Sequence, residues 1–227
     1  MTVPVLTNLR EGFTSFKPSN PPRQPSLRFG KKKFVKKMEN KPLYEKYLKA
    51  KHWENHPTKY AESFANFLKE VKFKGLVVDL GCGNGRDVNV FSDLGFNASG
   101  IDYSEEEIKN AKKEFLNLKF EVKNIENTTF KDESIGALFI INVIHYLNKE
   151  KAIKEMWRIL KPKGYLYIHF NISIVDKNGK IDYNHKEEHI LKLISNFKIL
   201  HKNIFKRVDK LPIEHTHTVM ELILQKP

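Results

Sequence analysis

"VVDLGCGNGRD", residues 77–87, sets three glycines in five positions behind an apolar run that ends in an aspartate. The apolar run reads as a short buried strand, and glycines directly after it let the backbone turn sharply against a ligand. Outward from this stretch, strand and helix patterns alternate. "RDVNVFSDLG" is a helix closed by Gly95, and "NASGIDY" is a second strand. "SEEEIKNAKKEFLN" opens with Ser104 as N-cap and Glu107 at the capping-box position. "KFEVKNI" and "IGALFIINVI" follow as strands, then "KEKAIKEMWRILKP" as a helix stopped by Pro162 and Gly164. "GYLYIHFNI" is a fifth strand, "HKEEHILKLISNF" a helix, and "KILHKNIFKRV" with "THTVMELILQK" a closing strand pair. Upstream, residues 42–71 read as helices broken near Pro57. Such alternation predicts an α/β fold, a doubly wound parallel sheet with helices on both faces. In these sheets ligands sit beyond the carboxyl ends of the strands, where the glycine loop lies.

The 227 residues suffice for one full α/β domain and an appendage. No run reaches the roughly 18 uninterrupted apolar residues of a membrane span, and no signal peptide is visible. A single cysteine excludes an internal disulfide and suits a reducing compartment, so a cytoplasmic location is expected. Charge is uneven. Residues 1–42 hold ten Lys or Arg against Glu11 and Glu39, which is +8 of the total +13, and six of the ten prolines. This predicts a basic, proline-rich arm over 1–42 and a folded domain over 43–227. Such arms touch nucleic acid or acidic surfaces. Only six of the forty basic residues are arginine, however, and Lys bias throughout the chain explains the arm equally well.

Asp79 selects among ligands for the loop. Its carboxylate would repel a pyrophosphate a few ångströms away and attract a cationic ligand without phosphate. S-adenosylmethionine fits, with an ammonium, a sulfonium and a free ribose diol. An acid to accept the ribose hydroxyls is needed about 20 residues on. Asp102, seventeen positions after Gly85, supplies it, although a dinucleotide enzyme would want the same acid.

These stretches resemble the class I S-adenosylmethionine-dependent methyltransferases. "VVDLGCGNGRD" is similar to that family's first motif and "GIDYS" to its acidic motif. "FEVKNIENTTF" sits at the adenine-contacting segment, and "AIKEMWRILKPKGYLYIHF" at the helix, turn and fifth strand. The resemblance covers about residues 43–225, and "GCGNGRD" with the chain's ending is similar to the small tellurite-resistance and thiopurine-like branch. It implies a Rossmann-like seven-stranded sheet, six strands parallel and the last antiparallel. It further implies a cofactor site of Asp79, Gly81, Cys82, Gly83, Asn84, Gly85, Asp102, Tyr103, Asn124, Ile125 and Ile141. Asn124 stands where the family often has Asp, and its carbonyl oxygen can still accept from adenine. Gly136 replaces an acid at the far end of the fourth strand.

His145 and Tyr146, in the turn after that strand, line the methyl-acceptor pocket by the same resemblance. His145 is the first candidate for positioning the acceptor or removing its proton, with Tyr146 and His217 behind it. His215, His185, Trp53 and Tyr60 are further candidates for this mouth. Cys82 has no adjacent base or cation and is expected to pack rather than react. "HKEEH", residues 185–189, spells an inverted zinc-peptidase pattern, which chance explains in a chain with nine histidines, so no metal is expected. The expected activity is methyl transfer to a small molecule. An RNA or protein acceptor held by the basic arm is the alternative, and a non-catalytic cofactor-binding protein a second one. Oligomeric state is not readable from the sequence.

Overall fold

A computed structural model describes residues 58–209 and 214–227. The predicted arm, its boundary at residue 43 and Trp53 lie outside the described residues.

The first described helix, α1 (Lys59–Glu70), starts at Thr58, whose hydroxyl accepts from the Ala61 N–H. It buries Tyr60, Ala61, Phe64, Phe67 and Leu68 on one stripe, the 3.6-residue spacing legible in the sequence. Strand β1 (Leu76–Leu80) leads through the glycine loop into α2 (Arg86–Asp93) and β2 (Asn97–Asp102). Helix α3 (Glu105–Glu114) begins as expected, with the Ser104 hydroxyl accepting from the Glu107 N–H. Strands β3 (Lys119–Val122) and β4 (Ile135–Ile140) follow, then a 3-10 turn over Ile144–Tyr146 and α4 (Lys149–Ile159). The chain ends with β5 (Leu160–Asp176), β6 (Ile181–Asn184), α5 (Glu187–Leu193), β7 (Lys198–Asp209) and β8 (His215–Gln225).

The main sheet runs β3-β2-β1-β4-β5-β8-β7. β1 through β5 pair in parallel, and β8 pairs antiparallel with both β5 and β7. Six of these seven strands therefore share a direction and the last opposes them, as the family resemblance implied. Both faces are covered. Val77, Ala137, Phe139 and Tyr167 pack with α1, α2 and α3. Val78, Leu138, Leu166 and Ile168 pack with α4 and α5 on the other side. Strand β4 is buried along its whole length, which explains its unbroken apolar run.

Two features differ from expectation. An eighth strand, β6, pairs antiparallel with an extension of β5. Its turn is closed by Asp176, whose carboxylate accepts from the Asn178 and Lys180 N–H groups, and by Gly179 at φ 82°. The Asn178-Gly179 pair is a hairpin signal that the reading by elements passed over. Helix α4 also stops at Ile159, before Pro162, because Leu160 already pairs with Ile135. The buried Lys226 ammonium donates to the Trp157 and Leu160 carbonyls at 3.0 and 2.8 Å, satisfying the helix end.

Strand order reverses between β1 and β4. The crevice at their carboxyl ends is the topological switch point of such a sheet.

Candidate cofactor and acceptor site

The glycine loop is held rigidly. Gly81 and Cys82 N–H groups donate to the Ile101 carbonyl at 2.8 and 3.0 Å, and Gly85 N–H donates to the Cys82 carbonyl at 2.9 Å. Gly83 N–H donates to Asp102 Oδ2 at 3.0 Å, and Ser104 N–H to Asp102 Oδ1 at 2.8 Å. Gly81 has φ 84°, and a Cβ there would lie 2.5 Å from Val143 Cγ2, so the β1 loop nests against the turn after β4. Gly85, at φ 85°, caps α2 and would meet Phe120 at 2.6 Å. A Cβ on Gly83 would face open space, with Glu107 Oε2 nearest at 3.9 Å.

The loop's electrostatics follow. Asp79 is 4% exposed, and burial, then Asp87, hold its carboxyl well above the usual range, with Asp102 adding to the rise and Arg86 opposing it. Asp87, in the first turn of α2, is buried as well and accepts from the Thr58 N–H at 2.7 Å. Arg86 Nη1 is buried without a hydrogen bond among the described residues. Four of the loop's amides are thus spent inside the protein, and three carboxylates surround it. A phosphate would find the glycine N–H groups already used and three carboxylates against the one Arg86 guanidinium. A zwitterionic amino-acid group would find a carboxylate for its ammonium and an unpaired guanidinium nitrogen for its carboxylate. These residues fit S-adenosylmethionine.

Cys82 is buried, its Sγ lying where a Cβ on Gly100 would reach it at 2.6 Å, and burial followed by Asp79 pushes its thiol pKa well up. It packs, as expected, and is a poor nucleophile. Asn84 and Tyr103 are partly exposed at the loop and after Asp102. Asn124 Oδ1 accepts from the Glu126 N–H at 2.9 Å, so its carbonyl already closes a local turn. Ile125 belongs to the core beneath α4, and Ile141 packs in the opposite core.

On the acceptor side, His145 and Tyr146 are buried in the 3-10 turn, their ring centroids 4.0 Å apart. Asn171 Nδ2 lies 3.3 Å from His145 Nδ1. An amide N–H at that position makes Nδ1 an acceptor and leaves the imidazole proton on Nε2. Burial, then His217, holds the His145 pKa well below its usual value, so the ring is neutral. His217 lies 3.2 Å from Asp209 Oδ2, and His215 lies 3.8 Å from the same oxygen. Arg207 clamps Asp209 from its own strand at 2.9 and 3.0 Å and donates to Asn142 Oδ1 at 3.3 Å. Tyr60 packs instead on His169, with centroids 4.4 Å apart. His185 precedes α5 rather than lying on it, and although its ring centroid is 5.9 Å from that of His189, neither falls in a cluster of three metal-ligating groups among the described residues.

Sequence reasoning missed Asn171, His169, Arg207 and Asp209. His169 and Asn171 carried a signal, as polar residues in a strand expected to be buried on both faces. A surface depression of ≈600 Å³, lined by Glu155, Trp157, Arg158 and Lys226 among others, includes none of the loop residues.

Comparison with known proteins agrees with this geometry. A family model described as "Methyltransferase domain" matches residues 78–168. An uncharacterized protein of Methanocaldococcus jannaschii is 36% identical over 143 residues, covering 62% of this chain and 56% of that protein. Probable tRNA methyltransferase 9B of Homo sapiens is 35% identical over 107 residues, 45% of this chain and 23% of that protein. The chain therefore spans little more than half of the archaeal relative and under a quarter of the human one. The crystal structure of the PH0226 protein of Pyrococcus horikoshii superposes with a TM-score of 0.59 at 19% identity, over 81% of this chain and 99% of that one, a likeness of fold. No helix among the described residues is long and apolar enough to cross a membrane. Residues 78–168 thus match a methyltransferase domain, and the surrounding chain has the fold of solved S-adenosylmethionine-dependent methyltransferases.

Proposed function

We propose that the protein methylates RNA, using S-adenosylmethionine held at the loop between β1 and α2. The observation that carries the cofactor reading is the loop's chemistry: its amides are spent on Ile101, Cys82 and Asp102, while Asp79 stays buried with no hydrogen bond from the described residues. When bound, the cofactor supplies a methyl group on a sulfonium, open to in-line displacement. Asp79 and Arg86 would hold its amino-acid group. Asp102 would accept from the ribose hydroxyls through the lone pairs its two backbone bonds leave free. Asn84, Tyr103, Asn124, Ile125 and Ile141 would border the nucleoside.

The chain's part in catalysis is chiefly alignment of donor and acceptor, which alone can lower a barrier by several kcal/mol. In its neutral form His145 donates from Nε2, so it positions an acceptor oxygen or nitrogen rather than taking its proton. Tyr146 braces that ring. An RNA acceptor is supported by the name of the human relative and by the +8 charge of residues 1–42. The second reading is a small-molecule acceptor of the tellurite-resistance or thiopurine-like kind. It is favoured by the burial of His145 and Tyr146, 4% and 7% exposed, which suits a small group.

The test is to incubate the full chain and labelled cofactor with total RNA and, separately, with an RNA-free small-molecule extract. Label in RNA is expected. Label in the small-molecule fraction alone selects the second reading. Label in neither, from a protein that binds the cofactor, refutes both and leaves a binding protein.

A further inference from the structure

Strands β7 and β8 bring together three metal-ligating side chains that the methyl-transfer reading leaves without a task of their own. Antiparallel pairing sets Asp209 opposite His215 and Arg207 opposite His217, so all four side chains share one face at the end of the hairpin. One donor atom from each of Asp209, His215 and His217 lies within 4.8 Å of the other two. We propose that these three residues bind a divalent first-row transition ion of the zinc class.

Spacing supports the assignment. Asp209 Oδ2 is 3.2 Å from His217 Nε2 and 3.8 Å from His215 Nε2. Ligands bonded to zinc at about 2.0–2.2 Å in a tetrahedral arrangement stand about 3.3–3.6 Å apart. The second, independent observation is His217 itself. It is 4% exposed, and neither ring nitrogen makes a hydrogen bond among the described residues, although Nε2 is within hydrogen-bond distance of Asp209. Two ligands of one ion aim at a common point rather than at each other, which is the geometry of such a near miss. A buried imidazole with no well-aligned hydrogen bond at either nitrogen is costly, and an ion at Nε2 removes part of that cost.

Arg207 bears on the same carboxylate. Its fork fixes Asp209 through one lone pair of each oxygen, as outer residues fix ligating carboxylates, while its charge opposes an added cation. Imidazoles with one carboxylate favour zinc, cobalt or iron over magnesium or calcium, and three protein ligands leave a coordination position open. Since Arg207 also donates to Asn142, an ion here would brace the hairpin against the turn that carries His145. The sequence led to the opposite expectation, no metal, because Asp209 meets the histidines only through strand register.

The full chain, tag-free and stripped with chelator, is titrated with Co²⁺ and then Zn²⁺. We expect one equivalent of Co²⁺ per chain with visible ligand-field absorption, bleached by one equivalent of Zn²⁺, and a rise in Tm of several degrees with Zn²⁺. His217→Gln and His215→Gln should melt near wild type in chelator, lose the Zn²⁺-induced rise and weaken Co²⁺ binding at least tenfold. His189→Gln should change neither. Absence of stoichiometric Co²⁺ absorption overturns the proposal, as does its survival in His217→Gln or its loss in His189→Gln. Should His217→Gln fail to fold, His215→Gln and the wild-type stoichiometry decide alone. No S-adenosylmethionine is present, so failure here is separate from failure of the methyltransferase reading.

Discussion

Replacing Asp79 by Asn should move stability and affinity in opposite directions. The carboxylate is 4% exposed, and burial, Asp87 and Asp102 all disfavour its charge, with only Arg86 opposing them. Its folded-state pKa is raised, so the folded chain holds that proton more tightly than the unfolded one. The resulting stability is present below the unfolded pKa and is lost as pH rises through the folded one. At pH 8 Asp79→Asn removes this liability, and the ligand-free protein should melt at a higher temperature than wild type. Cofactor binding should suffer instead. Charge-assisted hydrogen bonds are worth about 1.5–3 kcal/mol, so affinity for S-adenosylmethionine should fall about 10- to 150-fold. Methylthioadenosine, which keeps the nucleoside and thioether but has no amino-acid group, should bind both proteins alike. A cation beside Asp79 lowers its pKa, so wild-type binding should also release a proton, which the variant cannot do. Calorimetry in two buffers of different ionisation enthalpy reads the proton, and a melt reads the stability. The reasoning fails if Asp79→Asn loses both ligands equally, or if it lowers the melting temperature while leaving S-adenosylmethionine affinity unchanged.

The glycines should divide by role. Gly83→Ala faces open space and should fold with a loss of about 1–2 kcal/mol for its left-handed backbone, while cofactor affinity drops more than tenfold; Gly85→Ala meets Phe120 and should lose about 3 kcal/mol or more in chemical denaturation. Glu107 is pushed up to about 7 by burial, then by Asp102 and Glu106, so its contribution to stability is complete below its unfolded value of 4.5 and lost as pH rises through about 7. Glu107→Gln should therefore be the more stable protein at pH 8 by about 1–2 kcal/mol, after allowance for partial exposure, and match wild type at pH 4. Deleting residues 1–42 should leave cofactor affinity unchanged, weaken RNA binding and flatten its salt dependence by about one unit of slope for each phosphate the arm had neutralised. Unaltered RNA binding in that truncation would show that the arm does not hold the RNA.

Local signals carried most of the fold. The apolar run before Gly81, the Ser104 cap with Glu107, and the alternation of "THTVMELILQ" each state a structure within a few residues, and each holds. What stayed hidden depends on pairing between distant segments. Asp209 meets His215 and His217 only because β7 and β8 pair in one particular register, and Asn171 meets His145 only because β4 and β5 are neighbours. Asn124 illustrates the reverse case. The resemblance assigned its carbonyl to adenine, and a backbone N–H two residues on takes one lone pair of that oxygen, a local use typical of Asn that leaves the other lone pair. Charge was legible, but not its setting. Asp79 reads as a ligand for a cation in the sequence, whereas the internal use of the Gly81, Cys82, Gly83 and Gly85 amides becomes visible only with the loop's hydrogen bonds.

Competitive calorimetry tests the central claim most directly. S-adenosylmethionine, S-adenosylhomocysteine, NAD and ATP are each titrated into the full chain under one buffer and salt condition. One site for each of the first two is predicted, with NAD and ATP bound at least about 100-fold more weakly, a gap of about 2.7 kcal/mol. NAD binding more tightly than S-adenosylmethionine would contradict the account.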